Sequence, residues 1–221
     1  MEIIIFRMKL LVIAVVLSIM SAGVYGADPD PLTDFATGLK TFILRDVFTN
    51  GDVSVDSGGV RAATSVAKFP AAASQGLEYV RFKMVPCGAN LPHTHPRASE
   101  MLTLISGGPL QVGFVDTQGQ AFIDILHPGD VTIFPRGTLH FELNVGSEEA
   151  NYISALNSQN PGVVTSSVSI LKLPLRSVAT AFNITQQAVK KLDSTIYASV
   201  VGLKKTSKSD CVPGRDITVD F

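Results

Sequence analysis

The 221-residue chain predicts a mainly β protein, a single-domain antiparallel jelly-roll β-barrel followed by a C-terminal helical segment. Three observations predict it. From Glu78 onward, short apolar/polar alternations recur at regular spacing between turn signals. His93, His95, Glu100 and His140 fall at spacings that suit one cluster on such strands. After Pro174 the apolar period lengthens from that of a strand to that of a helix.

Taken in order, residues 1–26 read as a secretory signal peptide. Arg7 and Lys9 flank an apolar run from Leu10 to Met20, and Val24-X-Gly26 offers small residues for cleavage before Ala27. The run is short for a membrane span, and no later stretch is long and apolar enough, so no membrane association is expected after cleavage. Residues 27–75, rich in Gly, Ser, Thr, Asp and Ala, predict an extended N-terminal arm with a few edge strands. The barrel is expected over 76–172. Val80, Phe82 and Met84 alternate with Tyr79, Arg81 and Lys83, a half-buried strand. Further strands are expected at Met101–Ile105, Leu110–Asp116, Ala121–Leu126, Val131–Phe134, Leu139–Asn144 and Asn151–Leu156. The segments Gly107-Gly108-Pro109, Gln118-Gly119-Gln120, Pro128-Gly129-Asp130 and Val145-Gly146-Ser147 read as the turns between them. Two helices are expected within 173–203, near 175–182 and 186–202, the second from Ala188, Val189, Leu192, Ile196, Val200 and Leu203. A tail spans 204–221, where Lys204, Lys205 and Lys208 read as a solvated helix end.

About 195 residues after the signal suffice for one β domain with a sizeable core. Eighteen basic and nineteen acidic side chains give a net charge of −1, with no basic face of the kind that binds nucleic acid. The two cysteines, Cys87 and Cys211, belong to a chain headed for an oxidising compartment. They either pair, pinning the tail to the barrel, or remain two separate thiols. Asn183-Ile184-Thr185 is a glycosylation sequon, and Asn183 or Thr185 also suits a helix N-cap.

The chemistry concentrates in two blocks. His93-X-His95 has the two-residue period of a strand, so both imidazoles share a face. Glu100 lies an odd step further on, and Pro96 lets the chain bend and re-aim it inward. His140 must arrive from a distant strand. Three imidazoles and one carboxylate make a three-nitrogen, one-oxygen metal shell, and the anionic oxygen favours manganese or iron. His127, before Pro128, reads as an ordinary turn residue.

These blocks resemble the germin and germin-like proteins of the cupin superfamily. Gly129, Pro135, Gly137, His140 and Asn144 match the family's second box completely. His93, His95, Glu100 and Gly107 match the first, with Cys87 standing where a leading glycine belongs. Asp28-Pro29-Asp30-Pro31-Leu32 and Asn157-Ser158-Gln159-Asn160-Pro161-Gly162 also look like germin segments. The resemblance implies a cupin barrel with manganese (Mn2+) on His93, His95, Glu100 and His140. It implies an extracellular protein of the apoplast or cell wall, and a homo-oligomer, a hexamer built as a trimer of dimers with the C-terminal helices clasping a neighbour. The disulfide usual near the germin N-terminus is missing, since Ala36 occupies the place of its first cysteine.

The activity expected first is that of a manganese superoxide dismutase, with a small anion or superoxide as ligand. A non-catalytic extracellular metal- or ligand-binding or storage protein is the alternative. Oxalate oxidation is less expected. Asn90 matches one substrate-orienting asparagine of oxalate-oxidising relatives, but Val80 occupies the place of the second. Glu142, two residues after His140 on the same strand face, puts a carboxylate where those relatives tend to carry an amide, and unless protonated it repels oxalate. Asn90 and Glu142 are the candidate catalytic residues beside the metal. Arg97 is expected at the barrel mouth in an ion pair, or steering anions.

Overall fold

The computed structural model describes residues 34–36, 38–195, 202–207 and 210–215. The signal segment, Asp28–Leu32, Ile196, Val200 and Lys208 lie outside these residues.

The element order is α1 (Val47–Asn50), β1 (Asp52–Asp56), β2 (Gly59–Ala63), a 3-10 turn (Pro70–Ala72), β3 (Glu78–Met84) and β4 (Gly88–Thr94). Then come β5 (Glu100–Val115), β6 (Ala121–Leu126), β7 (Val131–Phe134) and β8 (Leu139–Leu156). The chain continues through β9 (Val164–Thr165), α2 (Ser166–Ile170), α3 (Leu175–Ala181), α4 (Gln186–Thr195) and β10 (Lys204–Lys205). The strands form one curled antiparallel sheet in the order β1-β2-β3-β8-β4-β10, with β8 also pairing β5, β5 pairing β6 and β7, and β9 pairing β4. Alternate residues of these strands fill the barrel. Val80, Phe82, Leu102, Leu104, Phe134 and Tyr152 form its core, with Phe82 and Tyr152 stacked at 4.3 Å.

The expected strand pairs Met101–Ile105 with Leu110–Asp116, and Leu139–Asn144 with Asn151–Leu156, are in fact the two halves of β5 and of β8. Gly107-Gly108-Pro109 and Val145-Gly146-Ser147 do not reverse the chain. They kink two long strands where they pass each other, and the register shifts between Leu104 and Leu110 mark the bulges. A Cβ on Gly146 would lie 1.7 Å from the Gly108 carbonyl oxygen, so only glycine permits that crossing.

The C-terminal end also departs from expectation. The helix is described from Gln186 to Thr195, but Leu203 is not part of it. Leu203 is buried in the barrel core, and its carbonyl accepts from the Gly58 amide. Lys204 and Lys205 are not a solvated helix end. They pair with Ala89 and Gly88 as β10, and the buried Lys204 ammonium forms an ion pair with Asp56. Helical spacing continues past Thr195 in the sequence, but burial of Leu203 against the barrel decides the outcome. The helices α3 and α4 pack on each other through Val178, Ala179 and Val189, leaving Leu173, Phe182 and Leu192 exposed. No described helix is long and apolar enough to cross a membrane.

Candidate metal centre

β4 brings His93 to the barrel interior, and the chain leaves the strand after Thr94. The turn at 95–99 is held by the loop at 157–162. Arg97 donates from its amide to Pro161 O, from Nε to Asn160 O (2.5 Å) and from its guanidinium to Asn160 Oδ1 (2.7 Å), while Ser99 N–H donates to Asn157 Oδ1 (2.8 Å). Arg97 therefore serves as a loop clamp rather than in an ion pair. Past the turn, Glu100 opens β5 pointing inward, and His140 arrives from β8. All four side chains are buried, and one ligand atom from each lies within 4.8 Å of the others. His127 sits exposed in a turn, apart from them.

The tautomers follow from the partners. His93 Nδ1 faces Leu91 O (2.8 Å), His95 Nδ1 faces Gly162 O (2.5 Å) and His140 Nδ1 faces Thr138 O (2.9 Å). A carbonyl oxygen only accepts, so each Nδ1 carries the hydrogen and each Nε2 presents a bare lone pair. His95 Nε2 lies 3.0 Å and His140 Nε2 3.4 Å from Glu100 Oε2. Buried lone pairs aimed at a carboxylate oxygen repel unless a cation sits between them. The donor set thus fits a divalent ion. Phe134 stacks on His140 at 4.5 Å and fixes its ring.

Burial, then the neighbouring imidazoles of His140 and His95, push His93 down to about 3, so it stays neutral and available as a ligand. Burial alone would raise the Glu100 carboxyl. The adjacent side chains of His140 and His95 outweigh it and hold Glu100 below the usual carboxylate range.

Asn90 and Glu142 sit directly opposite each other on β4 and β8. The spacing from Asn90 to His93 is odd, and a one-residue bulge between them lets both address the interior. Glu142 is fully buried, and burial first, then Glu100, raises its carboxyl well above the ordinary value. Asn90 pulls it back in part without closing a hydrogen bond of standard geometry. Asn144, two residues on, is structural. Its amide donates to Met84 O and Glu148 O and accepts from the Gly146 amide.

The cavity beside the cluster has Val80, Asn90, Leu91 and Thr165 in its wall, together with His93, His95 and Glu100. Its volume is about 30 Å³, far below that of a site for a large organic molecule. Arg61 of β2 and Glu78 of β3 also line the wall, and neither was expected from the sequence. The signal was present, because Arg61 shares strand parity with the buried Ala63. Reading 27–75 as an arm hid it. Cys87 and Cys211 are joined in a disulfide, and Cys87 takes the left-handed conformation (φ 61°) that its glycine counterpart would adopt freely. Asn183 is exposed, and Thr185 rather than Asn183 caps α4, its Oγ1 accepting from the Ala188 amide (3.1 Å).

A family profile described as Cupin matches residues 46–190. "Germin-like protein subfamily 1 member 16" of Arabidopsis thaliana is 35% identical over 213 residues, covering 83% of this chain and 93% of the relative. "Germin-like protein 11-1" of Oryza sativa subsp. japonica is 42% identical over 134 residues, covering 61% of this chain and 59% of the relative. A solved structure of recombinant oxalate oxidase in complex with glycolate superposes with a TM-score of 0.68 at 27% identity, covering 76% of this chain and 97% of that one.

Proposed function

The chain belongs to the germin-like proteins of the cupin family, and from that premise we propose that it is a secreted manganese protein that disproportionates superoxide. The observation that carries this reading is the convergence of three imidazole lone pairs and the Glu100 carboxylate in a buried pocket. His93, His95 and His140 would hold manganese through Nε2, and Glu100 through a carboxylate oxygen. When bound there, manganese supplies a one-electron couple suited to both oxidising and reducing superoxide.

The rest is work for the chain's own side chains. The three backbone carbonyls behind the imidazoles hold the ligand geometry. The small cavity suits small anions rather than large organic substrates. Peroxide formation consumes two protons for each two superoxide ions, and Glu142 is the buried carboxyl placed to hold one. Asn90, opposite it and in the cavity wall, orients the anion.

Oxalate oxidation is the second reading, favoured by the oxalate oxidase likeness. It fits less well, because Val80 offers the cavity wall no hydrogen-bond donor. A non-catalytic metal-binding or storage role is the third. Secretion belongs to the proposal as well, supported by the apolar Leu10–Met20 run and by a disulfide. So do glycosylation at the exposed Asn183 and a hexameric homo-oligomer, the latter supported by Met101, Val131 and Ile133 left exposed on the outer sheet face.

The test is metal analysis of the purified protein, paired with superoxide and oxalate assays before and after chelation. Manganese near one ion per chain and chelator-sensitive superoxide loss are expected. Activity that survives complete metal removal sinks the catalytic reading. Metal without turnover leaves the binding role.

A further inference from the structure

Two opposite charges line the cavity without bonding to anything. Arg61 lies on an interior row, opposite Phe82, which is in turn opposite Tyr152. Both aromatic partners are buried core residues, so the guanidinium starts from a position that normally carries an apolar side chain. Among the described residues the Arg61 guanidinium makes no hydrogen bond or ion pair, and none involves the Glu78 side chain. Burial raises the Glu78 carboxyl and the Arg61 charge pulls it back, so the two feel each other across a gap they do not close. A half-buried guanidinium without a protein acceptor keeps its fork of donors available to an anion in the cavity. Both groups share the wall with His93, His95 and Glu100.

We infer that Arg61 and Glu78 form the specificity-determining subsite of this cavity. Arg61 binds the outer oxygen of a small monoanion whose inner end lies at the His/Glu cluster, and Glu78 disfavours a second negative charge. The inner end rests on the metal reading above; the Arg61 contact does not. Arg61, rather than the clamp residue Arg97, is then the cation that recruits the substrate anion.

Formate, a monoanion, and oxalate, a dianion, are the probes, titrated calorimetrically into the mature chain with manganese and after its removal. Arg61→Gln is expected to weaken formate binding by roughly tenfold to a hundredfold in both forms. Arg61→Lys should recover part of the loss, because it keeps the charge and loses the fork. Glu78→Gln should strengthen oxalate binding more than formate binding. Thermal melts of each variant identify any that fail to fold, and the Lys and Glu78 variants still decide the matter if Arg61→Gln does. Formate binding that needs Arg61 in a protein that retains no manganese supports the subsite and ends the metal reading. Equal formate affinity in wild type, Arg61→Gln and Arg61→Lys overturns the inference. So does a wild-type protein that binds no formate in either form.

Discussion

Asn90 and Glu142 face each other across the β4–β8 pairing because a one-residue bulge before His93 turns Asn90 inward. The pair places an amide beside a carboxyl that burial and Glu100 hold toward its protonated form. A carboxyl raised in the folded state contributes stability at low pH and loses it as pH climbs through the raised folded value. Glu142→Gln should remove that loss, so the metal-free protein melts about 2–6 °C higher at neutral pH. If the carboxyl delivers protons, superoxide turnover falls roughly a hundredfold. Lower melting with unchanged turnover contradicts both roles.

Glu100→Gln keeps the shape of the side chain and removes the anionic oxygen. Metal affinity should drop by at least about a hundredfold, read by metal content after dialysis against a weak chelator. Undiminished manganese would falsify the ligand assignment.

Arg97→Ala releases Asn160 and with it the loop whose Gly162 carbonyl orients His95. The expected result is a loss of about tenfold in metal affinity with little change in the melting of the metal-free chain. A clamp without consequence for the metal would show both values unchanged.

Acidification tests His93. Its folded value, about 3, lies below the ordinary 6.5, so the folded state binds fewer protons than the unfolded state between them. The contribution of His93 to the stability of the metal-free protein is therefore complete above about 6.5 and is lost progressively as pH falls toward 3. Melting temperatures across this window should fall with pH, and the slope should shrink in His93→Gln.

Removing the Cys87–Cys211 bridge, which closes a separation of 124 residues, should destabilise by about 4–5 kcal/mol on chain-entropy grounds. Because Cys87 sits at φ 61°, the double variant Cys87→Gly, Cys211→Ser should be about 1 kcal/mol more stable than Cys87→Ala, Cys211→Ser. Denaturant unfolding of the two variants under identical conditions measures the difference.

The first three residues of the buried cluster were legible because they obey short-range rules. His93 and His95 share strand parity, and Pro96 announces the bend before Glu100. The strand edges Ala121–Leu126 and Val131–Phe134 were legible for the same reason, with turn residues on both sides. What could not be read locally was set by partners far along the chain. Gly107–Pro109 and Val145–Ser147 carry turn chemistry, and only the crossing of β5 and β8 turns them into bulges. Leu203 keeps helical spacing yet is claimed by the barrel core. Arg61 and Glu78 belong to strands whose interior faces become a cavity wall only after the sheet has curled.

The tail's return to β4 also sets an order of events in time. Lys204 and Lys205 cover the edge of β4 at Ala89 and Gly88, and Cys211 locks Cys87, the residue just before the strand. Until those residues emerge from synthesis, the strand carrying Asn90 and His93 has an open edge, the kind of surface that pairs with other chains. The pocket is thus among the last parts of the molecule to be secured, and it is locked only where thiols can be oxidised. On the secreted, metal-binding reading proposed above, metal capture by the locked pocket would belong to the finished chain after export, under the ion concentrations of the compartment that receives it.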